Sequence, residues 1–254
     1  VTFAAGMAKA GLKPVFAVYS SFLQRAYDQV LHDVCAQNLA VVFAVDRAGL
    51  VGKDGATHQG IFDLSYLSSI PNLTVMAPKN KWELSDMLKY AIAAEEPVAI
   101  RYPRGEACDL WKDQRAPIQK GCAEVVAEGT EVALFVIGSM VETAWQVRKK
   151  LAEKGIPTTV VNARFAMPLD KNCLRKLAES HPLLVTMEEN VASGGFGEHV
   201  AAFLEEEALH TKVLRMAIPD CFVEHGSVGE LKKALGLDAD SVTEKILAEL
   251  PEEL

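Results

Sequence analysis

Short runs of consecutive apolar residues alternate with longer amphipathic stretches along the whole chain. A continuous apolar run, unlike an alternating one, predicts a strand that is buried on both faces, which is typical of a parallel sheet covered by helices. The predicted strands are Pro14–Tyr19, Leu39–Val45, Leu73–Ala77, Val98–Tyr102, Val132–Ile137, Thr158–Ala163, Leu183–Met187 and Lys212–Ala217.

The stretches between these runs space their apolar residues as one face of a helix requires. The predicted helices are Phe22–Gln37, Lys81–Ala94, Glu142–Lys154, Lys171–Ser180, Gly197–Glu207, Ser227–Leu235 and Asp240–Glu249. Because strands and helices alternate from end to end, we predict an α/β fold.

The alternation lapses between Gly105 and Cys122, where the sequence is mixed and contains Pro117. A chain of 254 residues is long enough for two domains. We therefore predict two α/β domains, residues 1–119 and 120–254, each with a mostly parallel sheet flanked by helices.

The composition narrows the class of protein and of partner. With 50% hydrophobic and 24% charged residues, the chain has the balance of a globular protein and not of a disordered or coiled-coil one. The formal net charge is −8 with both signs scattered, so nucleic acid is not expected as a partner. No apolar run approaches the length that crosses a bilayer, so a membrane is not expected as a partner either.

The five cysteines and six histidines are dispersed along the chain, with no C-x-x-C pair and no spacing typical of metal ligands. We therefore expect a reduced, cytoplasmic protein that builds no metal site from its own side chains. The chain starts Val-Thr-Phe-Ala-Ala-Gly, without an initiator Met or an export signal, and the pattern is already under way there. We expect these residues to be a piece of a longer protein.

Candidate chemistry gathers after the strands of the first domain. Ligands of parallel α/β sheets bind beyond the carboxyl ends of the strands, so the residues that follow each strand are the first to inspect. Three predicted strands carry polar or aromatic side chains at their carboxyl ends or just beyond. They are Tyr19, Phe22 and Arg25 at the first, the segment Asp46–Gly60 at the second, and Arg101 and Arg104 at the fourth.

The segment Asp46–Gly60 is the strongest of these signals. Loops of this length are uncommon in a compact domain unless they are functional or mobile. Its glycines allow close approach of the backbone to a ligand, and His58 can exchange a proton near neutral pH. Arg47 and Arg104 together could grip a phosphate with their planar forks. Arg101, taken alone, is interpreted as a solvated surface charge.

The second domain offers weaker signals. The glycines of Glu188–Gly197 do not have the order of a dinucleotide-binding or P-loop motif, so we interpret this segment as a tight packing turn. Asp220–Gly226 is interpreted as a structured turn in which His225 is a local hydrogen-bonding residue. We therefore expect the second domain to be a scaffold.

Six segments together resemble the 1-deoxy-D-xylulose-5-phosphate synthase family, and the resemblance covers essentially all 254 residues. They are Tyr19–Asp33, Asp46–Gly60, Arg101–Gly105, Ala163–Asp170, Glu188–Gly197 and Ile218–Gly226. Members of this family of thiamine-diphosphate-dependent transferases condense pyruvate with D-glyceraldehyde 3-phosphate and release carbon dioxide. The product, 1-deoxy-D-xylulose 5-phosphate, is a precursor of isoprenoids, thiamine and pyridoxal.

The resemblance implies that residues 1–119 are a pyrimidine-binding domain without its first strand and helix, and that residues 120–254 are a transketolase-type carboxy-terminal domain. The resemblance also implies a homodimer whose full-length chain uses thiamine diphosphate and Mg²⁺, with the diphosphate and the Mg²⁺ bound by an amino-terminal domain. That domain and the glutamate that promotes ylid formation would precede Val1. We therefore expect the chain by itself to hold neither cofactor nor metal and to be inactive.

The resemblance also implies roles for individual residues. Phe22 would stack on the aminopyrimidine ring of the cofactor, and Tyr19 and Arg25 would line the same pocket. His58 and Asp54 are implied as catalytic residues and would contact the acceptor substrate and its hydroxyls. Arg47, Arg104 and Tyr19 are implied as further substrate-binding residues, and the two arginines would hold the phosphate of the acceptor. His58 is the candidate for moving a proton.

Three alternatives remain open. The chain could be the carboxy-terminal subunit of a split transketolase or the β subunit of a 2-oxoacid dehydrogenase, although the Asp46–Gly60 loop and the Arg-Tyr-Pro-Arg segment argue against both. A rival from another class is a non-catalytic assembly module that uses this fold only to dimerise.

Overall fold

A computed structural model describes residues 1–250, which form two five-stranded sheets. The first sheet has the order β1-β2-β4-β3-β8 and the second the order β10-β9-β6-β7-β5. The strands are β1 Val15–Tyr19, β2 Val42–Asp46, β3 Thr74–Met76, β4 Val98–Arg101, β5 Glu124–Ala127, β6 Val132–Val136, β7 Thr158–Asn162, β8 Phe165–Met167, β9 Leu183–Val191 and β10 Lys212–Ile218.

Helices cover the faces of both sheets. They are α1 Thr2–Lys9, α2 Ser20–Leu23, α3 Asp63–Ser68, α4 Lys81–Ala93, α5 Met140–Ala152, α6 Lys171–Ser180, α7 Phe196–Glu206, α8 Val228–Ala234 and α9 Ala239–Glu249. A 3₁₀ turn, Gln24–Ala26, and a π-helical stretch, Gln29–Cys35, follow α2.

The predicted α/β fold with two mostly parallel sheets is confirmed. Every neighbouring pair of strands is parallel except the two that involve the edge strands β5 and β8, which pair antiparallel with β7 and β3. The central strands β2 and β6 are buried along nearly their whole length, as their continuous apolar runs require.

Several elements differ from the prediction. The edge strands β5 and β8 are too short and too irregular in pattern to stand out in the sequence. The helix predicted over Phe22–Gln37 changes from α to 3₁₀ to π geometry along its length. Ahead of β1 lies α1, a helix that the apolar pattern did not predict, which buries Ala4 and Ala5 in the main core.

The amino ends of the later helices are fixed by side-chain caps that the sequence places there. The Asn80 side chain accepts a hydrogen bond from the Glu83 amide at the start of α4, and Asp170 accepts one from the Cys173 amide at α6. Ser227 and Glu230 form a reciprocal capping box at α8. These caps set where each helix begins relative to the sheet it covers.

A buried ion cluster joins the two domains beside β8. Arg164 donates from Nε to Glu83 Oε1 at 2.7 Å, and its NH2 group lies 3.3 Å from Glu124 Oε1. Lys79 pairs with Glu124, and Asn162 donates to both carboxylate oxygens of Glu83, at 2.9 and 3.0 Å. All five side chains are buried, and two cations balance two anions.

The same cluster fastens the irregular segment that runs between the domains. Arg164 also donates to the carbonyl oxygens of Ala116 and Pro117, at 3.1 and 3.3 Å. Asn80, which follows Lys79 of the cluster, donates to the Leu110 carbonyl at 2.8 Å. Side chains of both domains therefore donate hydrogen bonds to main-chain carbonyl groups that have no partner within a sheet or a helix.

Removing one anion from the buried cluster should destabilise the fold strongly. We expect Glu83→Ala to lower the free energy of unfolding by about 3–5 kcal/mol, because Arg164 and Lys79 would be left as incompletely paired buried cations. Urea unfolding followed by tryptophan fluorescence measures the change. The matched control is Glu207→Ala, which breaks a partly exposed pair with Arg175 and should cost less than about 1 kcal/mol. Equal losses in the two variants would contradict the role of the cluster.

A buried carboxyl outside this cluster, that of Glu188, gives the fold a pH dependence. Burial raises the pKa of Glu188 to about 7, against the lowering effect of the Phe196 and Gly197 amides, which donate to it, and of the nearby Arg101 and Arg215. Because the folded pKa lies above that of the unfolded chain, the folded state binds this proton more tightly. The stability that this proton contributes is present below about pH 4.5 and is lost as the pH rises through about 7.

We therefore expect the free energy of unfolding to fall between about pH 4.5 and 7 by an amount on the order of 3 kcal/mol from this group. Glu188→Gln should lower stability at low pH but remove this part of the dependence. Urea titrations of both proteins at pH 5 and pH 8 provide the measurement. A variant with the same pH dependence as the parent would show that Glu188 does not titrate in this range.

Candidate active site

The carboxyl ends of three parallel strands of the first sheet bring the candidate residues to one edge. Tyr19 ends β1, Asp46 ends β2 and Arg101 ends β4, and these strands are neighbours in the sheet. This edge is the place where ligands of parallel α/β sheets bind.

An aromatic face with a cation above it forms at the end of β1. The rings of Tyr19 and Phe22 are stacked at 5.2 Å, and the Arg47 guanidinium lies 4.0 Å from the centroid of the Tyr19 ring. The His58 ring meets Phe22 edge-on at 5.5 Å. Phe22 remains 50% exposed, so this face is open to a flat ligand.

Asp54 bridges the two arginines that were expected to hold a phosphate. Its Oδ2 atom accepts hydrogen bonds from Arg47 NH1 at 3.2 Å and from Arg104 NH1 at 2.8 Å. The two guanidinium groups therefore converge on one oxyanion. A phosphate oxygen is the same kind of acceptor, so the pair is a candidate anion site.

The Asp46–Gly60 segment is a hairpin that closes on itself at its base. The Gly49 amide donates to the Gly60 carbonyl at 2.6 Å and the Gly60 amide to the Gly49 carbonyl at 2.8 Å. A Cβ atom at Gly60 would lie 2.2 Å from the Arg47 carbonyl oxygen, so only glycine fits. Near the tip, the Thr57 hydroxyl lies 2.9 Å from His58 Nδ1, which leaves Nε2 as the ring atom for a ligand.

The hairpin is anchored in the second domain. Leu50, near its base, and Ile61, directly after it, are buried in the core of that domain and not in the core beneath the first sheet. The Val191 amide donates to the Ile61 carbonyl at 2.9 Å. The segment that carries His58 and Asp54 thus belongs by sequence to one domain and by packing to the other.

Arg101 is not the solvated surface charge that we expected. It is 4% exposed, and its Nε lies 3.1 and 3.0 Å from the two carboxylate oxygens of the buried Asp63. Its NH2 group donates to the Glu189 carbonyl of the second domain at 3.2 Å. Sequence reasoning missed this pair because Asp63 lies far from Arg101 along the chain, and Arg101 is therefore a structural residue between the domains.

Arg25 is the one candidate residue that the structure does not bring into this cluster. It lies on the 3₁₀ turn after Phe22, is exposed, and makes no side-chain hydrogen bond or ion pair within residues 1–250. Tyr19, Phe22, Arg47, Asp54, His58 and Arg104 are linked to one another by the contacts given above.

A cavity of about 440 Å³ opens between the domains on the side of the arginines. Arg47 and Arg104 line it together with Lys81 and with Ser139 of the second domain, whereas Phe22 and His58 do not. The anion site therefore lies between this cavity and the open aromatic face.

Two further geometric findings concern ligand types. Within residues 1–250, no group of three or more His, Cys, Asp or Glu side chains is arranged to hold a metal ion. Over the same residues, no helix is long and apolar enough to cross a membrane.

Comparison with known proteins gives the chain a family. The transketolase pyrimidine-binding domain matches residues 1–109, and the transketolase C-terminal domain matches residues 121–242. The chain is 58% identical to the 1-deoxy-D-xylulose-5-phosphate synthase of Lachnoclostridium phytofermentans over 97% of its own length, and 49% identical to that of Clostridium tetani over the same share. It spans 40% of the length of each of these curated relatives.

Among solved structures, the chain resembles a split-gene transketolase described as an inactive β4 tetramer, with a TM-score of 0.87 and 29% identity. The match covers 97% of this chain and 79% of that one. With both domain models and these relatives in agreement, the chain belongs to the transketolase family and corresponds to the carboxy-terminal part of its 1-deoxy-D-xylulose-5-phosphate synthases.

Proposed function

We propose that the chain supplies the pyrimidine-binding and carboxy-terminal domains of a synthase that condenses pyruvate with D-glyceraldehyde 3-phosphate, releasing carbon dioxide and forming 1-deoxy-D-xylulose 5-phosphate. The observation that carries this proposal is the convergence of Arg47 and Arg104 on one oxyanion beside the open face of Phe22. The converging arginines would bind the phosphate of the acceptor, and the open face of Phe22 would bind the flat ring of the cofactor. The 58% identity to a synthase of this name supports the choice of reaction.

The residues present fit one end of thiamine diphosphate. Phe22 is covered by Tyr19 on one side and half-exposed otherwise, so a flat aminopyrimidine ring could stack on it. When bound, the cofactor supplies the carbanion chemistry, while the protein supplies orientation and electrostatics. We propose that the diphosphate and Mg²⁺ are held by the part of a complete synthase that lies outside these residues. Arg25 stays a proposed lining residue of this pocket.

The acceptor would enter by exchanging one oxyanion for another. Its phosphate takes the place of the Asp54 carboxylate between Arg47 and Arg104, and the released Asp54 is then free to accept a hydrogen bond from an acceptor hydroxyl. His58 Nε2 donates a proton to the carbonyl oxygen of the acceptor as that oxygen becomes a hydroxyl. Thr57 holds the other ring nitrogen and so fixes the direction of Nε2.

We also propose a cytoplasmic homodimer. The free state of all five cysteines is consistent with a reducing compartment. Phe3 and Phe222 are 83% and 77% exposed, and large exposed apolar side chains of this kind are typical of surfaces that another chain covers.

One observation favours a second candidate. The split-gene transketolase that this chain resembles is a β4 tetramer and inactive in that form. The chain would then be the self-assembling subunit of a two-gene enzyme. Its 29% identity to that protein, against 58% to a synthase, makes the synthase the better proposal.

In a complete synthase that contains these residues, Arg104→Ala should raise the KM for glyceraldehyde 3-phosphate far more than the KM for pyruvate. A charge-assisted hydrogen bond is worth about 1.5–3 kcal/mol, which corresponds to roughly ten- to a hundred-fold. Steady-state kinetics with each substrate varied in turn measures the effect. Arg115→Ala, which removes an exposed arginine paired with Asp86, is the matched control. If Arg104→Ala changed both constants equally, the phosphate role would be wrong.

The 254-residue chain by itself should form no 1-deoxy-D-xylulose 5-phosphate from pyruvate, glyceraldehyde 3-phosphate, thiamine diphosphate and Mg²⁺. Aromatic stacking on Phe22 contributes only about 0.5–1.5 kcal/mol beyond burial of area, which is too little to retain the cofactor without its diphosphate contacts. A coupled product assay and calorimetry with the cofactor test both points. Turnover, or micromolar affinity for the cofactor, would refute this expectation.

A further inference from the structure

The Gln59 side chain, next to the Gly49–Gly60 pair that closes the base of the Asp46–Gly60 hairpin, holds two main-chain groups at once. Its Oε1 atom accepts a hydrogen bond from the Val51 amide on the opposite arm of the hairpin at 2.8 Å. Its Nε2 atom donates to the Glu224 carbonyl of the second domain at 3.1 Å. Gln59 is 1% exposed, so neither contact competes with bulk water.

A turn of the second domain, residues 219–227, supports the hairpin from behind. The Gly226 amide donates to the Gly52 carbonyl at 3.4 Å. A Cβ atom at Gly52 would lie 2.8 Å from the Gly226 carbonyl oxygen, and one at Gly55 would lie 3.6 Å from the His225 Cβ atom. Gly52 therefore allows the hairpin to approach this turn closely, whereas a side chain at Gly55 would make only an ordinary contact there. The second domain is thus more than the scaffold that the sequence indicated.

The backbone carries this support to the candidate active-site residues. The amides of His58 and Gln59 both donate to the Gly55 carbonyl, at 3.0 and 3.2 Å, so residues 55–59 form one compact turn. Fixing the Gln59 side chain fixes that turn and with it the adjacent His58, whose ring packs on Phe22. Thr57, which holds the other ring nitrogen, lies in the same turn.

We propose that Gln59 is a positioning residue that holds His58 against Phe22 by joining both arms of the hairpin to the second domain. Its side chain contacts main-chain groups only, so it would act on the substrate through His58. The proposal rests on the proposed function only for its effect on catalysis, since the placement of His58 can be measured in the chain as it stands.

The first test follows the His58 ring by NMR in the 254-residue chain. In Gln59→Ala, we expect the ring-proton signals of His58 to move toward the positions of an unstructured histidine, because the ring-current effect of Phe22 is lost. The signals of His181, buried and 2.8 Å from the Thr159 hydroxyl in the second domain, should stay in place and so report an intact fold. Gln146→Ala on the exposed face of α5 is the matched control and should move neither.

A second variant separates the two contacts and covers the case in which Gln59→Ala fails to fold. The ionised side chain of Gln59→Glu keeps an acceptor for the Val51 amide but offers no donor to the Glu224 carbonyl, so the spectra are recorded at a pH where this carboxyl is ionised. Displacement of the His58 signals in this variant, with His181 unchanged, supports the link to the second domain. Unchanged His58 signals in the folded variants would overturn the proposal.

The second test measures activity in a complete synthase. A displaced His58 should lower kcat by roughly ten- to a hundred-fold and leave the KM for pyruvate within about twofold, because small misplacements of a proton-transfer group cost rate and not donor binding. A rise in the pyruvate KM at unchanged kcat would contradict the positioning role. If the parent enzyme formed no product while the NMR signals still moved, the proposed function would fail and the placement of His58 by Gln59 would stand.

Discussion

Buried charge at the boundary between the domains is the constraint on which the rest of the structure depends. Removing ions from water is costly, and the cost is recovered only when every charge meets its partner in good geometry. Arg164 of the second domain meets that demand only if Glu83 of the first domain lies within hydrogen-bonding distance, and Arg101 meets it through Asp63 and the Glu189 carbonyl. A small rotation of one domain would break both sets of contacts together, so the boundary favours one relative placement.

That placement has direct consequences for the candidate site. Arg101 and Arg104 lie three residues apart at the end of the same strand, yet the first is buried between domains and the second reaches Asp54. The strand end is fixed by the first arginine, and the second arginine is thereby presented to the hairpin. Leu50 and Ile61 fix the other side of the site by packing in the second core. Arg104 is held through Arg101, and the hairpin that carries Arg47 is held through Leu50 and Ile61. Both supports contact the second domain, and the two arginines therefore converge.

The sequence predicts the fold wherever burial is uniform along an element. Strands such as β2 and β6 are buried on both faces, and their continuous apolar runs predict them. In contrast, β8 pairs at the edge of the other domain's sheet, and its three residues carry no periodic pattern. The hairpin was recognisable by length and glycine content. Three features could not be predicted from the sequence, because each depends on a partner distant in sequence. They are the bridge of Asp54 between two arginines, the burial of Arg101 and the two contacts of Gln59. The role of Arg25 and the boundary at residue 119 stay predictions.

The hairpin shows why a domain without candidate catalytic residues can still decide what a site does. A loop built of glycines and exposed polar residues gains little from its own packing, so on its own it would exchange among many conformations. Its order here comes from Leu50, Gln59 and Ile61 at its base, and all three contact the second domain. Between these anchors, Lys53 and Asp54 remain exposed. The contacts with the second domain therefore lie next to His58 in the chain, whereas Asp54 lies on the exposed part of the hairpin away from them.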